Sequence, residues 1–265
     1  MRPESPIGVF DSGIGGLTVV HALLEALPSE HLLYLGDTGR QPYGSKSADT
    51  VTRYSLENVD FLRARGVKLV VVACNSASAV ALDAIRERAR VPVIGVIEPG
   101  AQAAIARSDA ARVGVIGTDA TIGAGAYTRA LRRYAPTVEV FTRACPLFVP
   151  LAEEGWTDGP IPRAVAETYL ASFARSGIDT LILGCTHYPL LKGVIGEVVG
   201  PDVTLVDSAV ETAHRVTELL DDEGLGRGVG EGSTSFFVTD VPDRFVRIGE
   251  RFLGARVASA VRIER

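Results

Sequence analysis

The sequence predicts an α/β protein made of two similar parallel-sheet units that face each other across a cleft. Three observations predict it. Short apolar runs alternate with segments of helical period along the 265 residues, the pattern of parallel strands with helices packed on the sheet faces. One stretch recurs, because Ile7-Gly8-Val9-Phe10-Asp11-Ser12-Gly13 resembles Val113-Gly114-Val115-Ile116-Gly117-Thr118-Asp119. Cys74, which ends the run Leu69–Ala73, also has a counterpart in Cys185, which ends Thr180–Gly184. Any two βαβ units resemble one another at this level, so it is the matched cysteines that give the repeat its meaning.

The elements follow in order. Ile7–Phe10 is an apolar strand closed by the turn Asp11-Ser12-Gly13-Ile14-Gly15-Gly16, and helical period covers Gly15–Ala26. His31–Leu35 leads into the polar connection Gly36–Gly44 and a helix over Lys46–Arg65. Leu69–Ala73 delivers Cys74, with a helix over Ser76–Arg88 behind it, then strand Val93–Val96 and helix Pro99–Arg107. The second unit reads as strand Arg112–Ile116, helix Gly123–Tyr134, strand Glu139–Arg143 and helix Pro160–Ser176. Strand Thr180–Leu183, helix Pro189–Ile195 and strand Thr204–Val206 complete it, and helix Val210–Leu220 follows. Asp221–Ser233 is Gly-rich and charged and reads as a loop; Phe236–Val238 reads as a strand and Pro242–Phe252 as a helix.

Bulk properties narrow the function. With 46% hydrophobic residues the chain can bury a sizeable core, and a formal net charge of −5 without long like-charge blocks argues against general nucleic-acid binding. Met1 to Pro6 is polar and leads straight into a strand, so no signal peptide is read, and the apolar runs fall far short of a membrane span. A cytoplasmic protein with reduced thiols and no membrane partner is expected. Three cysteines without Cys-x-x-Cys make a disulfide framework improbable, and His21, His31, His187 and His214 lack zinc-site spacing.

The chemistry lies at the strand ends, where parallel α/β sheets bind ligands. A buried cysteine alone is most often a small core hydrophobe. Two thiols in matching settings, each followed by small polar residues, could take a proton from one face of a carbon and return one to the other. That is racemisation without a cofactor. Asn75-Ser76 and Thr186-His187 would form polar nests for a carboxylate, and His187 would carry protons or orient Cys185. Asp11 would hold an ammonium group, orient a thiol or cap its turn. The glycines at 13, 15 and 16 do not fit a dinucleotide fingerprint, and no Walker sequence is present. Backbone N–H groups around Tyr43, Gly44 and Ser45 would receive a carboxylate, in a connection long for an ordinary strand-to-helix link. Cys145, before Pro146, reads as structural; Glu153 or Glu154 would reach the cleft or sit in a solvated loop. Alternatives from other classes are a Cys185–His187 nucleophile and a non-enzymatic amino-acid-binding protein, but neither explains the setting of Cys74.

Taken together, these motifs resemble the cofactor-independent aspartate/glutamate racemase family, its glutamate racemases in particular. The resemblance is carried by Asp11-Ser12-Gly13-Ile14-Gly15-Gly16, Gly36-Asp37-Thr38 with Pro42-Tyr43-Gly44, Ala73-Cys74-Asn75-Ser76-Ala77-Ser78 and Leu183-Gly184-Cys185-Thr186-His187-Tyr188-Pro189. Gly117-Thr118 with Thr121, Cys145-Pro146-Leu147 leading to Glu153-Glu154-Gly155, and Val206-Asp207-Ser208 extend it in register from about residue 7 to 215. Ser76 stands where many members have Thr and keeps the hydroxyl. The resemblance implies the aspartate/glutamate racemase fold with two pseudo-symmetric domains, residues 1–97 plus 208–265 carrying Cys74 and residues 98–207 carrying Cys185, with the active site between them. It implies interconversion of L- and D-glutamate for peptidoglycan, without pyridoxal phosphate, metal or nucleotide, by a homodimer. It assigns proton transfer to Cys74 and Cys185, with Asp11, His187 and Glu153 assisting. Substrate contacts fall to Asp11, Ser12, Tyr43, Gly44, Asn75, Ser76, Thr186 and His187, with Thr118 and Thr121 nearby.

Overall fold

The computed structural model describes residues 2–264, and its strands form two parallel sheets. The first has the order β10-β9-β2-β1-β3-β4, from β1 (Ile7–Asp11), β2 (His31–Gly36), β3 (Leu69–Val72), β4 (Val93–Gly95), β9 (Ser233–Val238) and β10 (Val261–Arg262). The second has the order β6-β5-β7-β8, from β5 (Arg112–Gly117), β6 (Glu139–Ala144), β7 (Thr180–Gly184) and β8 (Thr204–Asp207). The central strands β1, β3 and β7 are buried at every position, as expected of parallel strands covered on both faces, and this is why they read as unbroken apolar runs. Fully buried Val71, Ile7 and Leu181 each contribute about 1.5–3 kcal/mol relative to exposure.

Helices α1 (Leu17–Ala26), α2 (Ala48–Arg63), α3 (Asn75–Val80) and α4 (Leu82–Ala89) follow strands of the first sheet. The chain then passes through α5 (Ile97–Arg107) to the second sheet, with α6 (Asp119–Gly123), α7 (Ala126–Tyr134), α8 (Phe148–Glu154), α9 (Pro160–Leu170) and α10 (Lys192–Val199). It returns through α11 (Ser208–Asp222), which packs on both α1 and α5, and ends with α12 (Pro242–Leu253) against α1.

Register sets the site. Phe10 pairs with Val72 and Asp11 with Gly36, so Asp11 and Cys74 leave adjacent strand ends. Gly117 pairs with Gly184, so Thr118 and Cys185 leave the equivalent ends of the second sheet.

Several elements differ from the sequence reading. The helix read over Ser76–Arg88 is broken at Ala81 (φ −118°, ψ −4°), where Ser78 Oγ instead donates to Val72 O and ties α3 back onto its strand. Gly125, in the left-handed region, delays α7 to Ala126 and leaves α6 as a separate turn. The helix read from Lys46 starts at Ala48, capped by Ser47, and the one read to Ser176 stops at Leu170. The helix read from Val210 begins two residues earlier, with Asp207 Oδ1 accepting from Ala209 N–H. α8 and β10 have no counterpart in the sequence reading.

At the opposite end of the first sheet, Lys68 is fully buried and donates to Glu30 Oε2 (2.7 Å), Pro3 O (2.6 Å) and Leu225 O (2.7 Å). All three ammonium protons therefore have acceptors. Next to the site, β9 pairs with β2 along its whole length, and Thr239 Oγ1 donates to Asp37 Oδ1 (2.9 Å) while Thr38 Oγ1 donates to Asp240 O (2.6 Å).

Candidate active site

Both thiols sit one or two residues beyond a strand and just before a helical turn. Cys74 precedes α3, and Cys185 precedes the 3-10 turn Tyr188–Leu191. They are 4% and 6% exposed, so bulk water is excluded from both. Cys145 is also buried, but its thiol faces Arg143 O (3.8 Å) and its carbonyl accepts from Tyr188 O–H, a packing role.

Beside Cys74, Asp11 is fully buried; its Oδ2 accepts from Gly13 N–H (2.9 Å), whereas Oδ1 has no protein partner. Burial raises the Asp11 carboxyl, against the pull of the His187 charge and the N–H groups of the Gly13 turn. Burial also pushes the Cys74 thiol up to about 12, with the Asp11 and Cys185 charges adding to the rise and hydrogen bonds from Ala77 and Ser12 opposing it. Asn75 Oδ1 accepts from Tyr127 O–H at 2.7 Å, which fixes the amide, and Nδ2 is left buried without a partner.

Beside Cys185, a chain of polar groups runs outward. Cys185 Sγ lies 3.9 Å from His187 Nδ1, and His187 Nε2 lies 3.2 Å from Glu153 Oε1. Arg244 Nη2 donates to the other oxygen of that carboxylate at 2.8 Å. Burial lowers the His187 imidazole, but hydrogen bonds to Cys185 and Glu153 outweigh it and carry it up to about 10. Burial alone would raise Glu153; His187 and Arg244 together hold it below its ordinary value.

The two halves meet at hydroxyls and glycines. Ser76 Oγ shares hydrogen bonds with Thr118 Oγ1 (2.9 Å) and Thr121 Oγ1 (3.3 Å), and Thr18 Oγ1 donates to Thr186 O (3.1 Å). A Cβ at Gly15 would come within 2.3 Å of Thr186 Oγ1 and 2.5 Å of the His187 ring, and one at Gly44 within 2.7 Å of Thr118. Only glycine permits these approaches. Thus Asp11, Ser12, Asn75 and Ser76 lie on the Cys74 side, Thr186, His187 and Glu153 on the Cys185 side, and Gly44, Thr118 and Thr121 where the two halves touch. Tyr43 differs: its O–H donates to Asp37 and accepts from Asn58 (3.1 Å), so its side chain is committed to the loop and only its backbone is left for a ligand. Sequence reasoning gave no role to Arg244 or Tyr127, and noted Phe252 only as a faint echo of the resemblance in Phe252-Leu253-Gly254; the Phe252 ring packs edge-to-face with His187 at 5.1 Å. Among the described residues, no group of three or more His, Cys, Asp or Glu is placed to hold a metal, and no helix is long and apolar enough to cross a membrane.

Paired thiols at pseudo-equivalent strand ends characterise one class of isomerase, and the chain belongs to the Asp/Glu/Hydantoin racemase family, whose model matches residues 7–216. It is therefore a racemase by family. Among curated relatives, the glutamate racemase of Geobacter metallireducens is 56% identical over 98% of this chain and 97% of its own length. The crystal structure of glutamate racemase from Thermus thermophilus with β-chloro-D-alanine is 48% identical, with a TM-score of 0.91 over 100% of this chain and 98% of that one. That from Francisella tularensis with D-glutamate is 39% identical, with a TM-score of 0.93 over 99% and 98%.

Proposed function

We propose that this chain interconverts L- and D-glutamate by a 1,1-proton transfer between Cys74 and Cys185, without a cofactor. One observation carries the reading: besides the two buried thiols at strand ends, the site holds an unpartnered buried acceptor, Asp11 Oδ1, and an unpartnered buried donor, Asn75 Nδ2. Leaving such groups unpaired costs about 1–3 kcal/mol each, and an amino acid satisfies both, its ammonium on Asp11 and its carboxylate on Asn75.

In this reading the Cys185 thiolate takes the α-proton of L-glutamate, forming S–H and a carbanion, and the Cys74 thiol delivers its proton to the opposite face. D-glutamate reacts in reverse. The α-proton is far less acidic than a thiol, so fixed donors and exclusion of water must stabilise the carbanion. Thr186, the N–H groups of the Cys74–Ser76 turn and the Gly44 backbone serve as those donors, while Ser76, Thr118 and Thr121 close the wall. His187, backed by Glu153, presents a proton donor to Cys185, and Asp11 serves the Cys74 side. The product would feed peptidoglycan synthesis in the cytoplasm, with the enzyme acting as a homodimer of two-domain chains (1–97 with 208–265, and 98–207).

The test is incubation of the purified chain with L-glutamate in deuterated water. Deuterium at Cα together with D-glutamate is expected, unaffected by chelation; absence of both would refute the reading. A Cys185–His187 nucleophile would instead produce an acyl- or alkyl-enzyme and no exchange.

A further inference from the structure

The Cys185 relay does not end within its own sheet. Glu153 lies on α8 of the second sheet, yet three residues of α12, which follows the first sheet, reach the relay. Arg244 donates to Glu153 Oε2 (2.8 Å), Arg251 Nη1 donates to Glu153 O (2.9 Å), and Phe252 packs on the His187 ring. Their spacing of seven and eight residues puts them on one face of the helix. The carboxylate is divided between two partners, with Oε1 on His187 and Oε2 on Arg244.

We propose that Arg244 is a positioning residue for the Cys185 half of the site, holding the Glu153 carboxylate aimed at His187 Nε2 from across the junction between the two sheets. The assignment rests on the function proposed above. An ordinary exposed ion pair contributes little, and Arg244 is 37% exposed. What sets this pair apart is that the same carboxylate orients the ring facing Cys185. The groups around that ring are Cys185, Thr186, Asp11 and Glu153; those around Glu153 are His187 and Arg244, with the Arg251 guanidinium on its carbonyl. Burial pushes Glu153 towards its neutral acid, and His187 and Arg244 oppose that push. Without Arg244 the carboxyl would protonate at higher pH, and the acid limb of the rate profile would move towards neutrality.

The experiment compares Arg244→Gln, Arg244→Ala and Arg244→Lys with Arg247→Gln, an exposed control on the same helix. The two neutral variants are expected to lose about tenfold in kcat with KM held within about twofold, the size of one charge-assisted hydrogen bond. The isotope effect on proton abstraction from Cα-deuterated L-glutamate should rise and that from the D-isomer should not. Lysine should restore most of the rate, and the control should match wild type. Independently of turnover, carbon-13 NMR titration of the Glu153 carboxyl, assigned with Glu153→Gln, should show its midpoint rising in the neutral variants and falling back in Arg244→Lys. An unchanged midpoint in the neutral variants overturns the assignment, as does a loss shared equally by KM, melting temperature and both isotope effects without lysine rescue. If the wild-type chain does not racemise glutamate, the proposed function fails, and the Glu153 midpoint alone decides whether Arg244 holds that carboxylate.

Discussion

The hydrogen bond from Tyr127 to Asn75 joins the two halves of the site, so Tyr127→Phe should be felt twice. Tyr127 is 2% exposed, and its O–H donates to Asn75 Oδ1 at 2.7 Å. Deleting it leaves a second buried atom of the same amide unpaired. A lost neutral hydrogen bond and a stranded acceptor together cost about 2 kcal/mol, which for a chain of this size lowers the melting temperature by about 4–8 °C. The amide would also lose its fixed orientation, so Nδ2 would no longer be held towards the substrate carboxylate, and KM should rise about tenfold in both directions. The equilibrium constant between enantiomers is unity, so kcat/KM must fall equally for L- and D-glutamate while kcat stays within about twofold. Circular dichroism of the amino acid follows both directions, and thermal denaturation reads stability. A double-mutant cycle with Asn75→Ala isolates the pair, with an expected coupling of about 1–2 kcal/mol. Unchanged KM, or strictly additive effects in the cycle, would refute the argument.

Other expected outcomes follow from the same geometry. Serine at either Cys74 or Cys185 should abolish net racemisation, because a hydroxyl is a much weaker acid than a thiol; near wild-type turnover in a single variant would sink the two-base mechanism. Asp11, raised by burial, adds stability that is fully present below the ordinary carboxyl value of 3.8 and lost as pH rises through the folded value. Asp11→Asn should therefore raise the melting temperature at pH 7 relative to wild type while slowing turnover, and a lower melting temperature there would contradict this. Lys68→Met strands Glu30 in the interior at a cost of about 3–5 kcal/mol, so melting should drop by about 10 °C. Because that pair lies at the far end of the sheet from the thiols, kcat and KM should hold.

Much of the architecture was legible because it is local. Buried parallel strands read as apolar runs, and β1 to β8 begin where the sequence placed them. The thiols, Asp11, the Asn75-Ser76 and Thr186-His187 pairs and the Gly44 turn could be found because strand ends in this topology converge. α8 was hidden because Pro150 interrupts the period, although proline is tolerated in the first turn of a helix. Glu153 therefore read equally well as a solvated loop residue. β10 has two residues, too few for any period. Arg244, Tyr127 and Phe252 sit on helices whose polar and aromatic residues look ordinary from the sequence. Their partners lie 52 or more residues away in the chain for Tyr127 and 91 for Arg244, and only packing brings them together.

The placement of β9 also bears on how the chain is made. Every strand of the second sheet lies between residues 112 and 207, so that sheet has all its members before β9 is made. The first sheet waits. β2 is paired on one side by β1 and on the other by β9, whose residues are translated some two hundred positions later. Asp37 and Thr38, which brace the loop carrying Tyr43 and Gly44, find Thr239 and Asp240 only then, and Arg244 follows a few residues behind. A nascent chain can thus hold both thiols well before it holds the braces around them, so the site is completed from its late-made residues inward.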